Sequence, residues 1–245
     1  MTFAAGFRCL DGLVLCSDSR EGDEHLKRDV RKLSSYHVSD QWGLAIGGAG
    51  DALLIREFRS NLFDLLGNGN YDRFSAEVQI ESALTHMKQQ HPVKQQHPAS
   101  DLKFIVGLFS EQPWDVNLYR AEQGSVSLQD AFCFIGQDAT LANFIVESIF
   151  DPRVRVDEAA RLAIFVTSLM KRHADGVGGP TQCLTHTKGE PGWKTYDLGE
   201  ITTIESELPF RDAHRLLWNY WGSKHNTGDH QTPERLASRT SEPDQ

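Results

Sequence analysis

The chain has 245 residues, 39% hydrophobic and 24% charged, with a formal net charge of −9; this is a globular balance, long enough to bury a sizeable core in one large domain or two small ones. The acidic balance argues against a nucleic-acid binder and against a polybasic membrane anchor, and no apolar run approaches the roughly 20 residues that a membrane span needs. Arg8 and Asp11 interrupt the apolar residues at the beginning, unlike a secretory signal, so the expectation is a cytoplasmic protein.

The stretch "TFAAGFRCLDGLVLCSDSR" reads as two strands with a turn at Asp11–Gly12, and "LVLC" suits a strand buried on both faces. A charged stretch, "REGDEHLKRDVRK", follows as an exposed turn and strand start, and "WGLAIGGAG" as an apolar strand that ends in glycines. In "DALLIREFRSNLFDLLG" the spacing of Leu54, Phe58, Leu62 and Leu65 predicts an amphipathic helix, with Asp51 as N-cap and Gly67 as its stop. A second helix is predicted over "SAEVQIESALTHMKQQ", with Ser75 as a plausible N-cap. "QQHPVKQQHPAS" is a proline-broken near-repeat read as a loop; His91 and His97 in it have no neighbouring ligands to complete a metal site.

Three strands follow, "LKFIVGLF", "WDVNLYRA" and "VSLQDAFCFIG", then two helices, "ATLANFIVESIF" and "VDEAARLAIFVTSLMKRHA". Asp157 is the expected cap of the latter, and Lys171, Arg172 and His173 sit where its dipole favours cations. "DGVGGP" breaks the chain, "TQCLTHTKGEPGWKTYDLG" reads as a hairpin around Gly189–Gly192, and a last helix is expected through "PFRDAHRLLWNYW". The four cysteines, Cys9, Cys16, Cys133 and Cys183, form no C-x-x-C pair and read as buried thiols. Residues 1–221 are expected to make one domain and the apolar-poor residues 222–245 a disordered tail. Strands in blocks flanking helix pairs predict an α+β fold, two sheets face to face with helices outside them, and the hairpin-rich order argues against a Rossmann sheet.

No G-x-S-x-G elbow, H-E-x-x-H or P-loop is present, and "GGAGD" at 47–51 lacks the Lys-Ser/Thr of a phosphate cradle. Thr2 stands directly behind the initiator methionine, where removal of Met1 would give it a free α-amine as well as a hydroxyl. Thr2, "SDSR" at 17–20, "VRKL" at 30–33 and "GGAGD", in this order and spacing, resemble the proteasome β-subunit family of N-terminal nucleophile hydrolases. The elements match over residues 2–205, with the motifs concentrated in the first 51.

The resemblance implies a four-layer αββα sandwich of two antiparallel sheets, a threonine nucleophile and no metal or organic cofactor. A threonine hydroxyl needs a base beside it, and its own α-amine, with an unperturbed pKa of roughly 8, can serve. A nearby ammonium disfavours the charged amine and steadies an alkoxide; Lys32 is the candidate, and Asp18 the partner that a buried lysine requires. The resemblance assigns the oxyanion donor to Gly47, a structural place beside the site to Arg20, a supporting carboxylate to Asp175, and the substrate pocket to Val30, Ala45, Ala49 and Leu53. Two alanines leave room for medium to large apolar side chains, while Glu21 near the rim could attract a basic one.

The second half departs from the family. Ile135 stands where a serine precedes Gly136, and Gly178 replaces the serine of a D-x-x-S-G motif. Together with the opening "MTFAAG", these departures resemble divergent bacterial members, the Anbu-type ancestral β-subunit group and the HslV-type peptidases. The expected partners are a peptide or protein substrate and further copies of the chain in a ring or open array; an ATPase partner is not identified by the sequence. A non-catalytic scaffold subunit and a small-amide amidase stay open as alternatives.

Overall fold

The computed structural model of the chain describes residues 2–22, 27–39, 42–66, 73–91, 102–122 and 124–207. The first two apolar runs pair as an antiparallel hairpin, β1 (Phe3–Cys9) and β2 (Gly12–Ser17). The charged stretch after them forms a small hairpin of its own, β3 (Arg20–Gly22) with β4 (Lys27–Asp29). β5 (Leu33–Ser39) and β6 (Trp42–Ala49) lead into α1 (Ala52–Leu66) and α2 (Arg73–Gln90). Four strands come next: β7 (Lys103–Glu111), β8 (Trp114–Glu122), β9 (Ser125–Gln129) and β10 (Phe132–Gly136). The helices α3 (Ala139–Glu147) and α4 (Val156–His173) follow, then β11 (Gln182–Thr187), β12 (Lys194–Thr195) and α5 (Leu198–Glu207).

The strands form two five-stranded antiparallel sheets, β10-β1-β2-β11-β12 and β5-β6-β7-β8-β9. Side-chain alternation gives each sheet two apolar faces. Leu13 and Leu15 of β2 join Ala4, Ala45, Ile105, Leu118, Ile135 and Leu184 in a layer between the sheets. Cys16, the residue after Leu15 and on the other face, points to α4, where Thr167 Oγ1 donates to its sulfur at 3.2 Å. "LVLC" is therefore buried on both faces, and every residue of β2 is buried. On the far side of the second sheet, Leu54, Phe58 and Leu62 of α1 and Ile80, Leu84 and Met87 of α2 cover Leu44, Ile46, Phe104 and Val106. The architecture is the expected α+β sandwich of four layers, helix–sheet–sheet–helix. All four cysteines are free and buried. Among the described residues no helix is long and apolar enough to cross a membrane.

Local signals held where their partners are local. Asp51 caps α1, its Oδ1 accepting from the N–H groups of Leu53 (2.9 Å) and Leu54 (3.1 Å). Other boundaries moved for tertiary reasons. α2 starts at Arg73, so Ser75 lies inside it. α4 begins at Val156, placing Asp157 in its first turn; the first helical N–H is taken instead by Asp11 of the β1–β2 turn, at 2.9 Å. "VSLQDAFCFIG" is two strands that part at Asp130–Ala131, β9 to one sheet and β10 to the other. His91 is held by Glu57 at 2.7 Å. Gly67, His97, the helix expected at 209–221 and the tail at 222–245 lie outside the described residues.

Candidate active site

The ends of β1, β2 and β6 and the segment before β5 meet at one end of the sandwich. Asp18 directly follows β2 and is fully buried; Lys32 directly precedes β5 and is 7% exposed. Lys32 Nζ donates to Asp18 Oδ1 at 2.8 Å. The same oxygen accepts the N–H of Phe3, the residue after Thr2, at 3.0 Å. Asp18 Oδ2 accepts the N–H of Gly178 at 3.0 Å. One carboxylate thus ties together the beginning of the chain, a cation 30 residues on and the 175–180 turn, with its charge matched inside the protein. Burial pushes the Lys32 ammonium below its ordinary pKa, and the Asp18 carboxylate opposes that shift.

Thr2 is half-buried, and its carbonyl accepts the N–H of Gln137 at 2.8 Å. Gly136 makes this contact possible. It has φ +93°, and a Cβ there would lie 1.8 Å from the Thr2 carbonyl oxygen, a backbone atom and not the end of a flexible side chain. Gly47 pairs with Leu33 across the β5–β6 ladder, next to Lys32. A Cβ on Gly47 would sit 3.6 Å from that of Ala4, so the glycine faces the beginning of β1. Ala45 and Ala49 flank Gly47 on the same face of β6, both buried in the layer between the sheets. Leu53 stands in the first turn of α1, 62% exposed. Val30 is half-buried, its N–H on the Ser19 carbonyl at 2.9 Å.

Four further positions singled out in the sequence have the following surroundings. Asp175 is exposed in the turn after α4, and no hydrogen bond or ion pair joins it to Asp18 or Lys32. Glu21 at the rim is already paired, with Arg28 Nη2 at 2.8 Å. Gly178, which stands where the family has a serine, has no room for one as the side chains lie: a Cβ there would be 2.4 Å from Arg20 Cζ. The Arg20 guanidinium fills that place, while its main-chain N–H donates to the Gly178 carbonyl at 2.9 Å. Ile135, at the other lost serine, is fully buried between the sheets.

Two groups of residues were missed by sequence reasoning. Gln182 holds the main chain at residues 30–33 by three hydrogen bonds, and nothing in the sequence around it signals this. Glu205 of α5 accepts from Ser168 Oγ (2.6 Å), Thr181 Oγ1 (2.7 Å) and Lys171 Nζ (3.0 Å) through one oxygen. Lys171 also reaches the Gly179 carbonyl, at 3.2 Å, so α4 and α5 together brace the turn that carries Gly178. Burial alone would raise the Glu205 carboxyl, but its three donors hold it below the ordinary carboxylate value. α5 itself had a readable signal: Asp197 and Glu200 cap it reciprocally, at 2.8 and 2.9 Å.

Two packed antiparallel sheets with outer helices, and a buried lysine–carboxylate pair at one end of them beside Phe3, have the architecture of the N-terminal nucleophile fold in its proteasome-like form. No family model matches the chain. It is 25% identical over 207 residues to the proteasome subunit beta of Methanococcus maripaludis, covering 82% of this chain and 89% of that one. It is 22% identical over 209 residues to the subunit of the same name from Methanococcus aeolicus, covering 83% and 92%. Among solved structures it superposes on the Anbu Gly-1 mutant from Hyphomicrobium sp. strain MC1 with a TM-score of 0.74 at 17% identity, covering 91% of this chain and all of that one. Anbu from Yersinia bercovieri gives 0.71 at 14% identity, covering 94% and 99%, and the helical assembly of the Anbu complex from Pseudomonas aeruginosa gives 0.68 at 15%, covering 95% and 99%. The chain is similar over most of its length to proteasome β subunits, and its fold is the one shared with Anbu.

Proposed function

We propose that this protein is a threonine-type amide hydrolase acting on peptides, with Thr2 as its nucleophile once Met1 is removed. The observation that carries the reading is the Asp18 carboxylate, which holds the Lys32 ammonium and the N–H next to Thr2 on a single buried oxygen. Thr2 Oγ attacks the scissile carbonyl and passes its proton to the Thr2 α-amine. The Gly47 N–H receives the oxyanion. The departing amine takes the proton, leaving an acyl ester on Thr2; water, activated by the same amine, then releases the acid and restores the hydroxyl. Lys32 supplies positive potential throughout, Arg20 braces the Gly178 turn, and Asp175 acts on the site only through that turn. Val30 and Leu53, with the small Ala49 and behind it the buried Ala45, would meet an apolar side chain on the acyl side. The chain would work in the cytoplasm as a homo-oligomer, as the helical assembly of its Pseudomonas aeruginosa neighbour suggests.

Replacing Thr2 with Ala is expected to reduce hydrolysis of a fluorogenic peptide panel by at least ~10³-fold. Mass spectrometry of the purified protein is expected to show loss of Met1 and a covalent adduct on Thr2 after treatment with an electrophilic peptide. Equal hydrolysis by both proteins would remove Thr2 from the reaction. A second reading, a scaffold subunit that kept the fold, is favoured by the filled places at Gly178 and Ile135; a retained Met1 with no adduct would select it. A small-amide amidase would share the adduct and fail the peptide panel.

A further inference from the structure

Residues 30–32 lie between β4 and β5, outside both strands. Three main-chain groups in residues 30–33 are held by one side chain from the opposite sheet. Gln182 Nε2 donates to the Val30 carbonyl at 2.6 Å, and Gln182 Oε1 accepts from the N–H of Lys32 at 2.9 Å and of Leu33 at 3.2 Å. A primary amide is suited to this because one end donates while the other accepts twice. Gln182 opens β11 and pairs with Ser17, the last residue of β2. It shares a strand face with Leu184, which lies between the sheets, so its side chain crosses from the first sheet to the start of the second sheet's edge strand.

The consequence for Lys32 is that both ends of its side chain are anchored to the same pair of strands. Its ammonium is held by Asp18, one residue beyond Ser17. Its main chain is held by Gln182, directly across the ladder from Ser17. Lysine has four rotatable side-chain bonds, and a flexible side chain holds a fixed charge only when its root is fixed as well. We propose that Gln182 is a positioning residue for Lys32, clamping the lysine main chain to the strands that carry Asp18 and thereby fixing the ammonium. Its effect on turnover rests on the Thr2 reading above; its effect on Lys32 does not.

The test compares wild type with Gln182→Met, which loses all three bonds at similar length, and Gln182→Glu, which keeps the acceptor and loses the donor. In Gln182→Met the Lys32 and Leu33 amides are expected to exchange with solvent at least ~10-fold faster. The Lys32 side chain, followed by NMR of lysine labelled at Cε, is expected to titrate at lower pH, because its carboxylate partner is held less closely. Adduct formation at Thr2 is expected to slow about 10–100-fold, with KM for a peptide within about twofold of wild type. In Gln182→Glu the two amides stay protected. Unchanged exchange and unchanged Lys32 titration in Gln182→Met would overturn the clamp whether or not Thr2 reacts. If Gln182→Met does not fold, loss of amide protection in Gln182→Glu would overturn it. Altered Lys32 titration in a protein that never labels at Thr2 would uphold the clamp and remove the threonine mechanism.

Discussion

Gly136 and Lys32 show how much of the site is decided by single residues. Gly136 is left without a side chain because the Thr2 carbonyl occupies the space where one would be. In Gly136→Ala the first residues must move, since the obstacle is the Thr2 main chain and not the end of a flexible side chain, and the positive φ adds about 1–2 kcal/mol of strain. The expected outcome is a protein still folded by circular dichroism, melting a few degrees lower, whose Thr2 labelling is slower by ~10² or more. If the chain hydrolyses peptides as proposed, Lys32 is expected to set the alkaline side of the pH profile. Burial favours its neutral form, so the ammonium is lost at a pH below the ordinary lysine value of about 10.4. Because Asp18 works against that shift, Asp18→Asn is expected to move the alkaline limb of kcat/KM to still lower pH; a limb that stays in place would separate Lys32 from the reaction. Thr2, Asp18, Lys32 and Gly47 were singled out in the sequence through their resemblance to the proteasome β-subunit motifs, and the structure brings Asp18, Lys32 and Gly47 to the beginning of β1. Gln182 was not, since an amide at the head of a strand has no pattern that separates a clamp from a solvated side chain.

At the scale of elements, the turn carrying Gly178 depends on α4 and α5. A single Glu205 oxygen gathers Ser168, Thr181 and Lys171, and Lys171 continues to the Gly179 carbonyl. Glu205→Leu would leave three donors without this acceptor, at a cost of about 2 kcal/mol. Thermal unfolding is expected to show that loss, and Thr2 labelling is expected to slow with it, because Gly178 donates to Asp18 from the same turn. Labelling at the wild-type rate would show that the turn holds without α5. The element pattern was readable where a strand or helix carries its own signal, as in the Asp51 cap or the doubly buried β2. It failed where two elements share one stretch: β9 and β10 have no glycine or proline between them, and β10 leaves β9 to pair with β1 in the other sheet.

For the whole molecule, the proposed homo-oligomer needs a contact surface. Among the described residues Phe144 of α3 is 72% exposed, with Leu141 nearby at 41%, on the outer face of the sandwich. An exposed aromatic side chain in an apolar patch is costly in a monomer and typical of a contact surface. If the chain assembles as proposed, Phe144→Asp is expected to reduce the mass seen by light scattering at equal concentration while leaving the melting of the single chain nearly unchanged. An identical mass would place the contact elsewhere. By itself the sequence determined the layered α+β architecture, the two-faced burial of β2 and the order of the candidate nucleophile, cation and glycine turn, because periodicity, capping and strand length are local properties. Only the tertiary structure decided which groups hold the cation in place. Lys32 finds the Gln182 side chain 150 residues away and Asp18 finds the Gly178 N–H 160 residues away, and buried polar groups choose partners by proximity after the sheets have packed, which no spacing along the chain encodes.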